Sequence, residues 1–572
     1  MILIGIGVKG ETGFRFFTRR SPEIPKSLFY VIILHMKLMF GVLLMAGQAL
    51  AAVPGMDTLV KIDSGWIAGS GTTVHIYKGI PYAAAPVGDL RWKPPQPPKP
   101  WKGIRLAKSF PAMCPQMPLI PGPQSEDCLG LNVWSPAHSP TEKLPVMVWI
   151  HGGGFSIGAS SQSAYDGEPL ASQGVVLVTI NYRLGVFGFL AHPALDHESP
   201  QGISGNYGLL DMVAALQWVK RNINAFGGDP GNVTIFGESA GGTAVCLLMV
   251  MPQADSLFQK VISESAAWMF GPISHLTESW YGRVPMTKFG EKLGTDLAAL
   301  RAKSTAEIMK AIPPPIGRDE AADRGEAFMP VVDGWAIPDD PARLFSTGRF
   351  HHVALIAGTN RDEGTLMGGP PVRNLDQLHK WASDKVGQMA DSLLAAYPAA
   401  TDADAHAAAA QASGDLLFLY GTRSVLRASS EMNPNTFQYQ FTRLNGVGRR
   451  IQWGAFHASE IPYVFETLPD SVYGTGPMLF GDFSIDADTY NEQDAKLSQA
   501  MSAAWITFAK TGTPNAPGLT RWPAFTLGKE SYLEFGDQIV AKDALRKKQL
   551  DLISDFTDGL RSHAATTSGA RP

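Results

Sequence analysis

Residues 233–242 read Val-Thr-Ile-Phe-Gly-Glu-Ser-Ala-Gly-Gly, and no other stretch of the chain restricts its fold so tightly. Val233–Phe236 is a β-branched and aromatic run of the kind that fills a buried strand. Thr243–Met249 is apolar and suited to a helix. Between them stands Gly237-Glu238-Ser239-Ala240-Gly241. A serine on a sharp turn from strand to helix needs glycine on both sides, because a Cβ at either position would collide with the neighbouring strand or helix. Such a turn holds the hydroxyl out at the head of the helix, where unpaired N–H groups face a developing negative charge. Strand, Gly-x-Ser-x-Gly and helix in this order make a nucleophile elbow. A chain rich in glycine and serine also produces the bare five-residue pattern by chance, so its meaning depends on partners elsewhere.

With 572 residues the chain has room for several domains or for one large α/β domain. Its net charge of −4 and the lack of a basic stripe interleaved with aromatics argue against a nucleic-acid binder. No metal-ligand spacing occurs among its His, Cys and carboxylate residues. Met36-Lys37, the apolar run Leu38–Ala46 and Ala49-Leu50-Ala51 have the layout of a signal peptide over residues 36–51. Residues 1–35 are then an extension that signal peptides seldom carry, and Met36 is the favoured start. The apolar run is too short for a comfortable bilayer span, so no stable membrane insertion is expected after cleavage. The expected location is periplasmic or secreted. Residues 52–561 are expected to form a single domain, and the small, polar residues 562–572 a disordered tail. In an oxidising compartment Cys114 and Cys128, which flank a loop rich in proline and glycine, could close it as a disulfide. Cys246 follows Ser239 by about two helical turns and reads as a buried free thiol.

Strands are expected at 58–62, 74–80, 131–134, 145–150, 175–181, 260–265, 353–357, 437–443 and 532–535. Helical patterns cover 205–226, 490–510 and 541–561, and an alanine-rich helical insertion covers 374–425. Asp229-Pro230-Gly231-Asn232 reads as a turn into the elbow strand. Alternation of strand and helix implies parallel strands with right-handed crossovers.

A serine hydroxyl needs a base, and the base needs an orienting acid. His151-Gly152-Gly153-Gly154-Phe155 follows a buried strand and suits an oxyanion hole, since only glycine lets backbone N–H groups approach a substrate closely. After the 353–357 strand come Asp362 and Glu363, and the spacing alone does not separate them as the acid. Among later histidines His457 alone combines the required chain order with a packed, aromatic setting. His351-His352 reads as a solvated pair.

Taken together these segments resemble the type-B carboxylesterase family, which contains bacterial para-nitrobenzyl esterases, mammalian carboxylesterases, cholinesterases and bile-salt lipases. The similarity is carried by 78–83 (KGIPYA), 126–133 (EDCLGLNV), His151–Phe155, 181–185 (NYRLG), 205–211 (GNYGLLD), Gly237–Gly242, Asp362-Glu363-Gly364, His457 with 460–463 (EIPY), and Trp505 with Phe508 and 512–514 (GTP). The resemblance implies an α/β-hydrolase fold: a large, mostly parallel central sheet flanked by helices, with helical insertions around an active-site gorge. It implies Ser239 as nucleophile, His457 as base and Glu363 rather than Asp362 as acid. It implies oxyanion donors at Gly153, Gly154 and Ala240, a supporting serine at Ser265 bonded to the acid, and a Cys114–Cys128 disulfide. No cofactor is implied, and the expected partner is a small-molecule ester. Two departures stand out. Gly130 replaces an aromatic, and the loop between Cys114 and Cys128 has no tryptophan, which argues against a cholinesterase. The alternatives are a lipase, a hydrolase of a specialised ester, amide or carbamate, and, more remotely, a non-catalytic adhesion-type relative. Phe155 and Trp268 are expected either to line the acyl side or to pack in the core.

Overall fold

The structure, a computed structural model, describes residues 58–267, 269–270, 273–279, 284–312, 328–468 and 489–568. The leader expected over 36–51 and the extension before it lie outside these residues.

Thirteen strands are present among the described residues: β1 (Leu59–Ile62), β2 (Gly65–Ala68), β3 (His75–Pro81), β4 (Ile104–Leu106), β5 (Gly130–Ser135), β6 (Leu144–Ile150), β7 (Val176–Ile180), β8 (Gly228–Glu238), β9 (Lys260–Glu264), β10 (Ala354–Asn360), β11 (Thr436–Phe441), β12 (Ser531–Phe535) and β13 (Ile539–Asp543). Ten of them form one sheet in the order β13-β12-β11-β10-β9-β8-β6-β7-β5-β3. From β7 through β12 every neighbouring pair is parallel, and the antiparallel pairs lie at the two edges. β1, β2 and β4 make a small separate sheet.

The central strands are apolar throughout because both faces are covered. Along β6, Val146, Val148 and Ile150 pack into one core with helices α1 (Tyr207–Asn222) and α2 (Ala240–Val250). Met147 and Trp149 point the other way, into a core closed by α3 (Glu492–Thr511) through Leu497, Met501, Trp505 and Phe508. The period-2 alternation of a strand thus feeds two hydrophobic layers from a single run. Helices at Leu375–Val386, Ala390–Ala396, Asp402–Gly414 and Tyr420–Met432 make up the alanine-rich insertion.

The sequence reading departs from this architecture at three places. The expected turn at Asp229–Asn232 is not outside the strand. β8 begins at Gly228, and its pairing with β6 jumps from Leu144↔Gly228 to Val146↔Val233, so the turn residues bulge out of a continuous ladder. Residues 541–543, expected as helix, belong to edge strand β13 paired with β12. The last helix, Lys547–Ser568, continues past 561 into the segment expected to be disordered. Leu550 and Ile553 bury it against the core.

Candidate active site

β8 ends at Glu238 and α2 begins at Ala240, so Ser239 is the whole connection between them. Its backbone is at φ 58, ψ −121, which a side chain adopts only under strain. The glycines permit it. A Cβ on Gly237 would stand 2.5 Å from the Ile150 carbonyl oxygen, and one on Gly241 2.0 Å from the same atom. The Ser239 N–H is tied to the Glu264 carbonyl at 2.9 Å, and its carbonyl accepts the Thr243 N–H at 2.8 Å. The turn is therefore anchored on the neighbouring strand and on its own helix.

The loop after β6 approaches the head of α2. Gly153 and Gly154 have φ of 103 and 60, and a Cβ on Gly153 would lie 2.1 Å from the Ile157 carbonyl oxygen. Among the described contacts the N–H groups of Gly153, Gly154 and Ala240 meet no protein acceptor. His151 is buried below this loop. Its ring stacks on Tyr182 at 4.5 Å, and the Tyr182 hydroxyl donates to its carbonyl at 2.8 Å. Burial holds its pKa down at about 4, so the ring is neutral scaffolding for the loop.

Glu363 lies three residues beyond the end of β10 and is buried. Its Oε1 accepts the Ser265 hydroxyl at 2.5 Å and the Asn360 N–H at 2.7 Å, and its Oε2 meets His457 Nδ1 at 2.6 Å. Ser265 is itself held at φ 51 just past β9. Asp362 faces elsewhere, toward Arg361 and the Ala455 N–H. The structure therefore brings Glu363, and not Asp362, to His457.

The other ring nitrogen is not bonded to the serine. Among the described contacts no hydrogen bond joins Ser239 Oγ to His457, and Nε2 instead lies 3.2 Å from Glu238 Oε1. The Phe418 ring packs against the imidazole, with centroids 4.6 Å apart. Burial works to lower the imidazole pKa. The carboxyls of Glu238 and Glu363 outweigh it and raise the value to about 9.

Sequence reasoning missed the carboxyl groups behind this histidine. Glu238, Glu264 and Glu460 are all buried. Glu238 and Glu264 are register partners on β8 and β9, so their side chains share a sheet face. Glu264 Oε1 accepts the Trp505 indole N–H at 2.7 Å, and Glu460 accepts the Asn360 side-chain amide. Burial, reinforced by repulsion from neighbouring carboxyls that include Glu363, pushes Glu238 and Glu264 well above the ordinary range and Glu460 up to about 7. The signal was present as a glutamate beside the elbow serine, another inside an apolar strand and a third three residues after His457.

Cys114 and Cys128 form a disulfide, and Cys246 is buried and free with its thiol toward Ser263. Phe155 is fully buried against Tyr182 and Phe189, so it packs in the core and does not line an acyl site. Trp268 lies outside the described residues. His352 is exposed, and His351 is only half-buried. Its Nε2 lies 3.0 Å from the Met251 carbonyl oxygen beneath α2. No group of three or more His, Cys, Asp or Glu residues arranged to hold a metal is present among the described residues.

The family model for the carboxylesterase family matches residues 57–553. The chain belongs to the carboxylesterase family. Fumonisin B1 esterase of Sphingopyxis macrogoltabida is 40% identical over 490 residues, covering 84% of this chain and 87% of that protein. Para-nitrobenzyl esterase of Bacillus subtilis is 37% identical over 474 residues, covering 80% and 90%. A solved para-nitrobenzyl esterase superposes with a TM-score of 0.72 at 33% identity, covering 87% of this carboxylesterase and all of that chain. The fold is that of the α/β hydrolases, and the protein is a carboxylic ester hydrolase.

Proposed function

We propose that this carboxylesterase is exported and cleaves small carboxylic esters through an acyl-enzyme on Ser239. Ser239 Oγ attacks the ester carbonyl while His457 takes its proton and then protonates the leaving alkoxide. Glu363 orients the imidazole and stabilises its charged form. The N–H groups of Gly153, Gly154 and Ala240 receive the tetrahedral oxyanion. Water then attacks the acyl-enzyme, with His457 again as base, and releases the acid. The observation that carries this reading is the buried Glu363–His457 contact at 2.6 Å, on the same sheet edge as a serine held at φ 58.

The reading requires one movement: Nε2 must exchange Glu238 for Ser239 as the ester binds. Catalytic hydrogen bonds often tighten only in the substrate complex. Export is supported by the 36–51 pattern and agrees with the Cys114–Cys128 disulfide.

A fluorophosphonate probe tests the centre. Adduct mass on the peptide carrying Ser239, lost in Ser239→Ala, is the expected result; labelling at another residue overturns it. A panel of nitrophenyl esters from acetate to palmitate, with fumonisin B1 added because a relative is named for it, places the substrate. Faster turnover of the long chains than of acetate and butyrate would favour a lipase. N-terminal mass spectrometry of the exported protein should find a mature start near Ala52.

A further inference from the structure

The segments carrying the proposed acid and base are joined by a ladder of contacts that ends at the catalytic pair. The Thr365 hydroxyl lies between two carbonyl acceptors, Asp362 at 2.6 Å and Trp453 at 2.8 Å. The Asp362 carboxylate accepts the Ala455 N–H at 2.7 Å, and the Asp362 N–H donates to the Ala455 carbonyl at 3.0 Å. The Asn360 side-chain amide donates to the Phe456 carbonyl at 2.8 Å. The next residue is His457, whose Nδ1 meets Glu363 at 2.6 Å. Residues 360–365 thus hold the backbone from 453 to 456, leaving the imidazole as the free end of a fixed strap. The rung at Asp362 is made in both directions.

The strap is shaped to that rung. Gly454 has φ 70, and a Cβ there would stand 2.2 Å from Asp362 Oδ2. Gly448, below it, would place a Cβ 2.1 Å from the Gly454 carbonyl oxygen. Both glycines let the backbone come up against the carboxylate. The Asp362 carboxylate also meets the half-exposed Arg361 guanidinium at 2.9 Å, which lies on the solvent side.

We infer that Asp362 is a positioning residue of this esterase: by gripping Ala455 it sets the separation of Glu363 from His457. The inference rests on the Ser239–His457–Glu363 reading above. It assigns a task to the carboxylate that the sequence could not distinguish from the acid itself. Asn retains an oxygen acceptor for the Ala455 N–H, so Asp362→Asn should preserve the grip, whereas Asp362→Ala removes it.

The test compares Asp362→Ala, Asp362→Asn and Gly454→Ala with wild type by steady-state kinetics over pH on a nitrophenyl ester. Asp362→Ala should lower kcat at least about tenfold with KM within about threefold, because positioning acts on the transition state. Its acid limb in kcat/KM should move to lower pH by about half a unit or more. The groups that face the imidazole are Glu363, Glu238 and Glu460, and of these the strap loosens Glu363, whose carboxylate raises the imidazole pKa. Asp362→Asn should return to within about threefold of wild type. Gly454→Ala should reproduce the Asp362→Ala profile from the opposite side, and the double variant should be no worse than either alone. If Asp362→Ala does not accumulate as folded protein, Gly454→Ala is read on the same criteria. A kcat within threefold of wild type, an unmoved acid limb or no rescue by Asn overturns the inference. Fluorophosphonate labelling of the wild type keeps the two readings apart. A wild type that takes no label at Ser239 overturns the serine-hydrolase reading and this inference with it. A labelled wild type with an indifferent Asp362→Ala overturns this inference alone.

Discussion

His457 Nε2 lies 3.2 Å from Oε1 of Glu238, the residue immediately before Ser239. The imidazole thus lies between two carboxyls and is hydrogen-bonded to Glu363 through its other nitrogen. A base must be neutral to accept the serine proton, and these carboxyls lift its pKa to about 9 against the opposing effect of burial. Activity should therefore fall away on the acid side of a high midpoint. Replacing Glu238 by Gln removes one source of the lift, so the acid limb of kcat/KM should move to lower pH. A pH–rate profile of Glu238→Gln checks this, and an unmoved or raised limb would show that Glu238 carries no charge next to the ring.

Glu363 and Asp362 are sequence neighbours with unequal surroundings. Glu363 accepts the Ser265 hydroxyl, the Asn360 N–H and the His457 ring, all buried. Glu363→Gln puts an amide where an ionised acceptor stood and disfavours the imidazolium formed in the transition state. It should cost about 10²–10⁴ in kcat, by analogy with the loss of the orienting acid in serine hydrolases. Asp362→Asn should stay within about threefold. Ser239→Ala should remove about 10³-fold or more of the turnover. Equal losses at 362 and 363 would mean that the acid has been misassigned, and a Ser239→Ala variant within tenfold of wild type would remove the nucleophile.

The legible parts of this fold were those where backbone and chemistry leave few options. Gly237 and Gly241 announced the elbow because only glycine fits against Ile150, and the fully apolar β6 announced a strand covered on both faces. The choice of Glu363 over Asp362 came only from family resemblance, since both side chains stand at the same sheet edge. What decides between them is Ser265, which is 98 residues distant. The β13 edge strand was hidden by charged and small residues that fit a helix equally well. For Phe155 the sequence left the acyl side and the core equally open. In the fold its backbone is at φ 54, and its ring turns inward onto Phe189. The acidic cluster behind His457 went unnoticed because its members come from separate strands and a loop, and sequence spacing does not report register across a sheet.

The Cys114–Cys128 bond spans a separation of 14 residues. Closing a loop of that size removes chain entropy from the unfolded state and contributes about 3 kcal/mol. Within the loop Gln116 accepts the Gly158 N–H at 2.8 Å, and Glu126 pairs with Arg91 at 2.6 Å. The bond therefore also steadies a segment that touches the residues following the glycine loop. Urea denaturation of the Cys114→Ser, Cys128→Ser double variant should show a loss of that order. An unchanged midpoint would mean that the loop is held by its side-chain contacts alone.

Glu460 makes stability depend on pH in a direction opposite to that of an ordinary paired carboxylate. Its side chain is fully buried, Oε1 has no protein partner among the described residues, and Asn360 bonds the other oxygen. Burial first, and the nearby Glu363 charge second, raise its pKa from 4.5 to about 7. Between those values the folded chain keeps a proton that the unfolded chain gives up. Stability from this group is therefore complete below pH 4.5 and is lost as pH rises through about 7. Glu264, raised for the same reason, adds to the decline. Glu460→Gln cannot ionise, so the fall in unfolding free energy across this window should be shallower by up to about 1.4 kcal/mol per pH unit. Urea denaturation at a series of pH values between 4.5 and 7.5 measures the slope. A variant whose stability falls as steeply as that of wild type would show that Glu460 is already ionised in the folded protein, and that a cation or hydrogen-bond donor reaches it there.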